Sequence, residues 1–368
     1  MSYTINRRRF LAATSIATLA SALPRATGKA FAQSENELRV VVSGGDYGKA
    51  GIEAYLKPFE AETGIKMIPI TDEIPLAQVE LMVSTNSVSA DVIGLNYPQG
   101  NIAAKKGLLE RIDYSIFKKE ELDSTLDFAK DSYGIGVTAY AYPMVYNTEA
   151  YPAGKPRPST WAEFWDAEKF PGVRTLVDGQ LGSQGPWEEA LLADGVAPDA
   201  IYPMDIDRVF ASLDKIKPHI RKWWGTGSEI QQMMHDKTAA LYQAYDGRTN
   251  NLIAQGSPLE INWNQAKLTW DFWIIPKGGP NVKNAQKFVE FATRADRQAA
   301  FAKIFPTAPT NLKAFDLLPE SLGRSFPTHP DNVKGSIYIN SGWYTEAGAD
   351  GVTNTERLIQ RWNEWILQ

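Results

Sequence analysis

Leu38-Arg39-Val40-Val41-Val42-Ser43-Gly44-Gly45-Asp46-Tyr47-Gly48 is an apolar run closed by a glycine-rich loop, and a helical pattern follows from Lys49 to Thr63. A short β-branched run reads as a buried strand, and glycines directly after it read as the turn into a helix. Gly64 stops that helix before a second strand, Ile65-Lys66-Met67-Ile68-Pro69-Ile70. Ala90-Asp91-Val92-Ile93-Gly94-Leu95 reads as a third strand after another helix. Strands alternating with helices predict an α/β fold with a parallel sheet and right-handed crossovers.

Further along, Gly134 to Tyr146 alternates aromatic and small residues and reads as a long strand leaving this first unit. Lys155-Pro156-Arg157-Pro158-Ser159-Thr160 is a stiff linker and helix cap before Trp161-Ala162-Glu163-Phe164-Trp165, and helix and strand continue to about Asn264. Trp270-Asp271-Phe272-Trp273-Ile274-Ile275-Pro276 reads as a strand returning to the first unit. Near the end, Leu358, Trp362 and Trp365 recur at helical spacing within Asn354 to Leu367, the pattern of a packed surface helix. A chain of 368 residues exceeds what one core usually supports, so two lobes are expected. Lobe 1 is assigned residues 33–141 and 271–316, lobe 2 residues 142–270 and 317–368.

The N-terminus carries Asn6-Arg7-Arg8-Arg9-Phe10-Leu11, an uncharged stretch from Leu11 to Leu23, and Ala30-Phe31-Ala32. That order reads as a twin-arginine export signal over residues 1–32, cleaved after Ala32. The apolar run is too short to span a bilayer permanently. Its removal takes five basic residues (Arg7, Arg8, Arg9, Arg25, Lys29) and no acidic one, leaving 33 basic against 43 acidic residues and a net charge of −10. An acidic surface argues against nucleic acid as a partner. With no cysteine the chain has neither a disulfide nor a lipid-bearing cysteine after the signal. The expected protein is therefore periplasmic, not lipid-anchored, and a monomer.

No nucleophile elbow, zinc-binding His-Glu-x-x-His, phosphate loop or dinucleotide fingerprint occurs in the sequence. His219, His235 and His329 lie far apart, and Glu188-Glu189 reads as an ordinary acidic pair on a helix face. Neither an enzyme nor a cofactor or metal site is expected.

Leu56-Lys57-Pro58-Phe59-Glu60-Ala61-Glu62-Thr63-Gly64-Ile65-Lys66 resembles the early segment of the extracellular solute-binding proteins of ABC importers. Gly107 to Asp113, Pro158 to Asp166 and Ala285 to Arg297 resemble later segments of that family in the same order. Within the family the sequence is most similar to the spermidine/putrescine-binding branch and its small-amine, γ-aminobutyrate-type relatives. The resemblance implies a two-lobed type II periplasmic-binding-protein fold, each lobe a sheet flanked by helices. It also implies hinge crossings, a ligand cleft between the lobes, and delivery to an ABC permease in the inner membrane.

Residue by residue, the resemblance places Gly45, Asp46 and Tyr47 in the first ligand loop, Tyr97 at the end of the third strand, Tyr245 and Asp246 in a second-lobe strand, and Asp271 on the returning strand. The branch's returning tryptophan falls nearer Thr269, with Trp270 beside it. The chemistry suits an amine, since carboxylates accept its hydrogen bonds and aromatic faces attract its charge. Asp46, Asp246 and Asp271 are the candidate acceptors. Trp223, Trp224 and Trp270 join the tyrosines as candidate walls. Arg248, two residues past Asp246 and on the same face if this segment is a strand, favours a zwitterion whose carboxylate it binds. If Arg248 pairs internally with Asp246 instead, a putrescine- or spermidine-like polyamine remains open. Sugar, ferric ion or a twin-arginine-exported redox enzyme are the rival readings.

Overall fold

The computed structural model describes residues 36–368, so the expected export signal lies outside the described residues. Among the described residues there are ten strands: β1 (Glu37–Val41), β2 (Lys66–Ile70), β3 (Ile93–Asn96), β4 (Lys130–Asp131), β5 (Gly134–Asn147), β6 (Arg174–Val177), β7 (Ile220–Trp224), β8 (Leu241–Gln243), β9 (Leu259–Ile274) and β10 (Ile337–Tyr338).

The opening segment folds as its pattern dictates. β1 buries Leu38 and Val40 and pairs in parallel with β2, and Val92 bridges Val40 in the same sense. Between β1 and β2 the chain is helical from Gly45 to Thr63, with one π turn over Ile52–Leu56, and Gly64 ends it at φ 71°. Only a residue without Cβ takes that left-handed angle cheaply. Ala50, Ala54, Tyr55 and Phe59 form the buried stripe of this helix. Phe59 sits edge-on to Phe288 and Phe291, both 5.3 Å away. Truncating so enclosed a phenylalanine to alanine costs about 3–5 kcal/mol.

The parallel pairing expected of the first unit forms between β1, β2 and Val92, and the larger sheet is mixed. β9 runs as one continuous 16-residue strand beginning at Leu259, well before the predicted Trp270. It pairs antiparallel with the 14-residue β5 along most of its length and with β3 at its far end. Each long strand supplies the other's backbone hydrogen bonds, which is why neither breaks where the apolar pattern weakens. In the rest of the larger sheet β6 lies parallel to β7 and to β8, and β8 lies antiparallel to β5.

These two long strands join two sets of core residues. At one end Ile135, Val137, Trp273 and Ile274 pack with β1 and the phenylalanine-rich helices, and at the other Tyr142, Met144, Tyr146 and Leu259 pack with β6 to β8 and the tryptophans. Thr160 caps the helix Trp161–Trp165 by accepting from the Glu163 amide. The last helix, Asn354–Trp365, opens with a capping box formed by Thr353 and Glu356 and buries Leu358, Trp362 and Trp365. No helix among the described residues is long and apolar enough to cross a membrane.

One acidic pair departs from its sequence reading. Glu188 and Glu189 are fully buried, not surface residues, and both bind the buried ammonium of Lys267 on β9, at 3.1 and 3.0 Å.

Candidate functional site

The segment Ala244 to Arg248, expected as strand, is not one. β8 ends at Gln243 and a helix runs from Asp246 to Ala254. Asp246 is in its first turn, 2% exposed, and its Oδ1 accepts from the Ala141 amide at 2.9 Å on β5. Burial pushes its carboxyl up to about 7, with the amides of Ala141 and Gly247 drawing it back. Asp246 therefore ties the helix to β5. Arg248, one half-turn on, lies along the same cavity but on a helix.

That cavity, of about 800 Å³, runs between the ends of the two core sets. Tyr47, Tyr140, Tyr245 and Phe305 supply aromatic walls, Asp271 and Glu73 supply carboxylates, and Arg248 supplies a guanidinium. Tyr47 is held edge-on by Phe301 and Phe305 at 5.0 and 5.4 Å. Asp271 projects from β9; its burial raises its carboxyl to about 7, Tyr140 hydrogen bonding lowers it somewhat, and Glu73 adds like-charge repulsion. Arg248 donates to the Gln231 side chain at 3.0 Å, and no carboxylate lies within ion-pair distance of it among the described residues. The Tyr245 phenol lies between the two signs: burial raises it most, Asp271 raises it further and Arg248 lowers it.

The structure brings together Tyr47, Tyr245, Asp246, Arg248 and Asp271 among the sequence candidates. Gly45 starts its helix at φ 67° and is exposed; Ser43 and Gly44 beside it line the cleft instead. The side chain of Asp46 lies outside the described residues. Four aromatic candidates point elsewhere. Trp223 packs against Trp362 and Trp365 of the last helix. Trp224 is fully buried behind Tyr245 and donates to the Gln243 carbonyl at 2.8 Å. Trp270 stacks on Tyr97 at 4.1 Å and both line a separate cavity. The reason is strand alternation: Asp271 faces the cleft, so its neighbour Trp270 faces away.

Sequence reasoning missed Glu73, Tyr140 and Phe305. Glu73 follows β2 directly, and the carboxyl ends of strands in open α/β sheets are where ligand crevices form, so its position carried a signal. Tyr140 shares a strand face with Tyr142 on β5. Nothing in the sequence marks Phe305, which follows the helix Ala295–Ile304.

The family model of the bacterial extracellular solute-binding protein matches residues 54–323. The γ-aminobutyric acid-binding protein of Pseudomonas aeruginosa is 31% identical over 346 residues, covering 92% of this chain and 94% of that protein. A solved γ-aminobutyric acid (GABA) receptor superposes with a TM-score of 0.78 at 29% identity, over 89% of this chain and 97% of the other. A periplasmic binding protein of Agrobacterium tumefaciens R10, solved in complex with agropinic acid, superposes at 0.68 with 31% identity, over 90% and 99%. These likenesses carry the two-lobed periplasmic-binding-protein fold, and the chain belongs to the bacterial extracellular solute-binding proteins, as the solute-binding component of an ABC transporter.

Proposed function

We propose that the cleft captures a small zwitterion of the γ-amino acid type. Its ammonium is met by Asp271 and Glu73 within the tyrosine and phenylalanine walls, and its carboxylate by Arg248. The observation that carries this reading is the mixture of charge in one cavity: two carboxylates, and a guanidinium with no described carboxylate partner within ion-pair distance. A ligand bearing both charges satisfies both signs, whereas a diamine leaves Arg248 facing a like charge. The ligands named for the P. aeruginosa relative and the solved GABA receptor support the same class.

Lobe 1 (33–141, 271–316) and lobe 2 (142–270, 317–368) close about β5 and β9 in this proposal. Phe326 and Val333 pack with the first core set, which moves the last boundary toward Ile337. The leader of residues 1–32 exports the chain by the twin-arginine route to the periplasm, where it acts as a monomer without enzymatic activity and serves an inner-membrane permease.

Calorimetric titration of the leaderless protein with γ-aminobutyrate and with putrescine tests the site. Binding of the zwitterion, lost in Arg248→Ala, is expected. Binding of putrescine alone, indifferent to Arg248→Ala, overturns the zwitterion class.

A further inference from the structure

The two charge clusters of β9, Asp271 at the cleft and Lys267 with its buried glutamates, are joined through one side chain. Tyr140 on β5 stands in the cavity wall beside Asp271. Its phenol oxygen accepts from the side-chain amide of Gln184 at 3.2 Å, and Gln184 is not itself a wall of that cavity. Gln184 ends the turn Gly179–Gln184, whose backbone is pinned at several points. The buried ammonium of Lys267 donates to the carbonyls of Gln184 and Gly185, at 3.3 and 2.5 Å. The Trp187 indole donates to the Gly182 carbonyl at 2.7 Å. Gly182 holds φ 61° and ψ −120°, a combination open to glycine, and a Cβ at Gly185 would collide with the Trp187 ring. With its backbone so held, Gln184 meets Tyr140 at little further cost in entropy.

The direction of this chain follows from what each group can donate. A phenol has one proton to give, and its oxygen can accept at the same time. Burial first, and the charge of Asp271 second, raise the Tyr140 phenol well above its ordinary value, so it keeps its proton. An ionised carboxylate only accepts. One arrangement satisfies all three groups: the Gln184 amide donates to the phenol oxygen, and the phenol donates to Asp271. Hydrogen bonds in such a chain polarise one another and favour the ionised form at its end. Glu73, Lys49 and Arg248 and the phenols of Tyr47, Tyr142 and Tyr245 are the other titratable groups that share the cavity with Asp271 or feel its charge.

We propose that Gln184 is a positioning residue for ligand capture: its amide turns the single proton of Tyr140 toward Asp271 and so keeps an acceptor ready for the ligand's ammonium. The inference rests on the reading of Asp271 as the ammonium's acceptor. The Lys267 cluster then does more than pack elements together, because the ammonium that closes on Glu188 and Glu189 also seats the residue that prepares Asp271. An amide at position 184 suits this role and a carboxylate does not. A glutamate fills the same space but accepts the phenol's proton and draws it away from Asp271.

The experiment titrates the leaderless protein with γ-aminobutyrate by calorimetry from about pH 5.5 to about pH 9, a range that spans the raised carboxyl of Asp271. It uses the native protein, Gln184→Ala, Gln184→Glu, Tyr140→Phe and the double variant Gln184→Ala/Tyr140→Phe, with Asp271→Asn as the control for the site. The midpoint at which affinity falls from its alkaline plateau is expected at about 7 in the native protein. Gln184→Ala raises that midpoint by about half a unit and Gln184→Glu by about one unit. Affinity at neutral pH then falls by about twofold and about fivefold, and both losses shrink as the pH rises. In the Tyr140→Phe background Gln184→Ala moves the midpoint no further, because the phenol that connects the two residues is gone. An unmoved midpoint, a loss uniform across pH, or a Gln184→Ala shift that persists without the phenol overturns the role of Gln184. A flat native pH profile, with Asp271→Asn binding as tightly as native, overturns the ammonium reading itself, a separate outcome.

Discussion

Two clusters of opposite charge sit on β9 only a few residues apart, and they are built in opposite ways. At Lys267 the charges are closed on one another. The ammonium binds Glu188, Glu189 and the Gly185 carbonyl at 2.5 Å, Tyr344 donates to Glu188 at 2.7 Å, and Gln243 donates to Glu189 at 2.6 Å. Burial alone would depress the lysine, but the two glutamates outweigh it and raise its pKa. At Asp271 the charges are left open. Its carboxyl is raised to about 7 by burial, its nearest charged neighbour Glu73 is of like sign, and Arg248 across the cavity pairs with an amide. Buried charge that is satisfied internally fixes the arrangement of elements, and charge that is left unsatisfied in a cavity waits for a ligand.

The largest effect expected from breaking this contrast is on folding. Lys267→Met strands two buried carboxylates and should cost about 3–5 kcal/mol in urea unfolding, while replacing Lys267, Glu188 and Glu189 together with apolar residues should recover most of that. Next comes Arg248→Ala, which should lower zwitterion affinity about 100-fold, the scale of a lost charge-assisted hydrogen-bond pair. The melting temperature of its ligand-free form should stay within about 1 °C of native, since the residue supports no buried partner. A loss of stability here comparable to that of Lys267→Met would erase the distinction.

The pH dependence sharpens it further. Asp271 and Asp246 both have folded pKa values raised to about 7, so the folded state holds their protons more tightly than the unfolded chain. Their contribution to stability is therefore greatest below the unfolded value near 4, declines as pH rises, and levels off above about 7. Bound ammonium reverses the preference at Asp271 by favouring its ionised form. Affinity should fall by up to about tenfold per pH unit below 7, with proton release on binding seen as a buffer-dependent calorimetric heat, and Asp271→Asn should abolish both. The smallest effect belongs to Trp223→Phe, which should leave affinity within about twofold, because its ring packs against Trp362 and Trp365. Affinity loss there above tenfold would place it at the ligand.

Much of this was legible in the chain. β1, the helix stop at Gly64, the long strand from Gly134 and the apolar stripe of the last helix follow from local periodicity and turn chemistry. Asp271, Tyr245 and Tyr47 were legible as candidates through their resemblance to the family's ligand segments, and Arg248 through its place two residues past Asp246 and a charge that suits a carboxylate. Which of many aromatics and acids face one space was not. Trp270 and Asp271 are neighbours with opposite fates, and Glu188-Glu189 gives no sign of the lysine that buries them.

By itself the sequence determined the elements, the family and the chemical vocabulary of the site, because strand and helix periodicity, capping and glycine geometry act over a few residues. Only the tertiary structure decided which charges close on themselves and which stay open. Pairing depends on the register of β9 against β5 and on helices distant in sequence, and a single step along that strand turns a side chain from cleft to core.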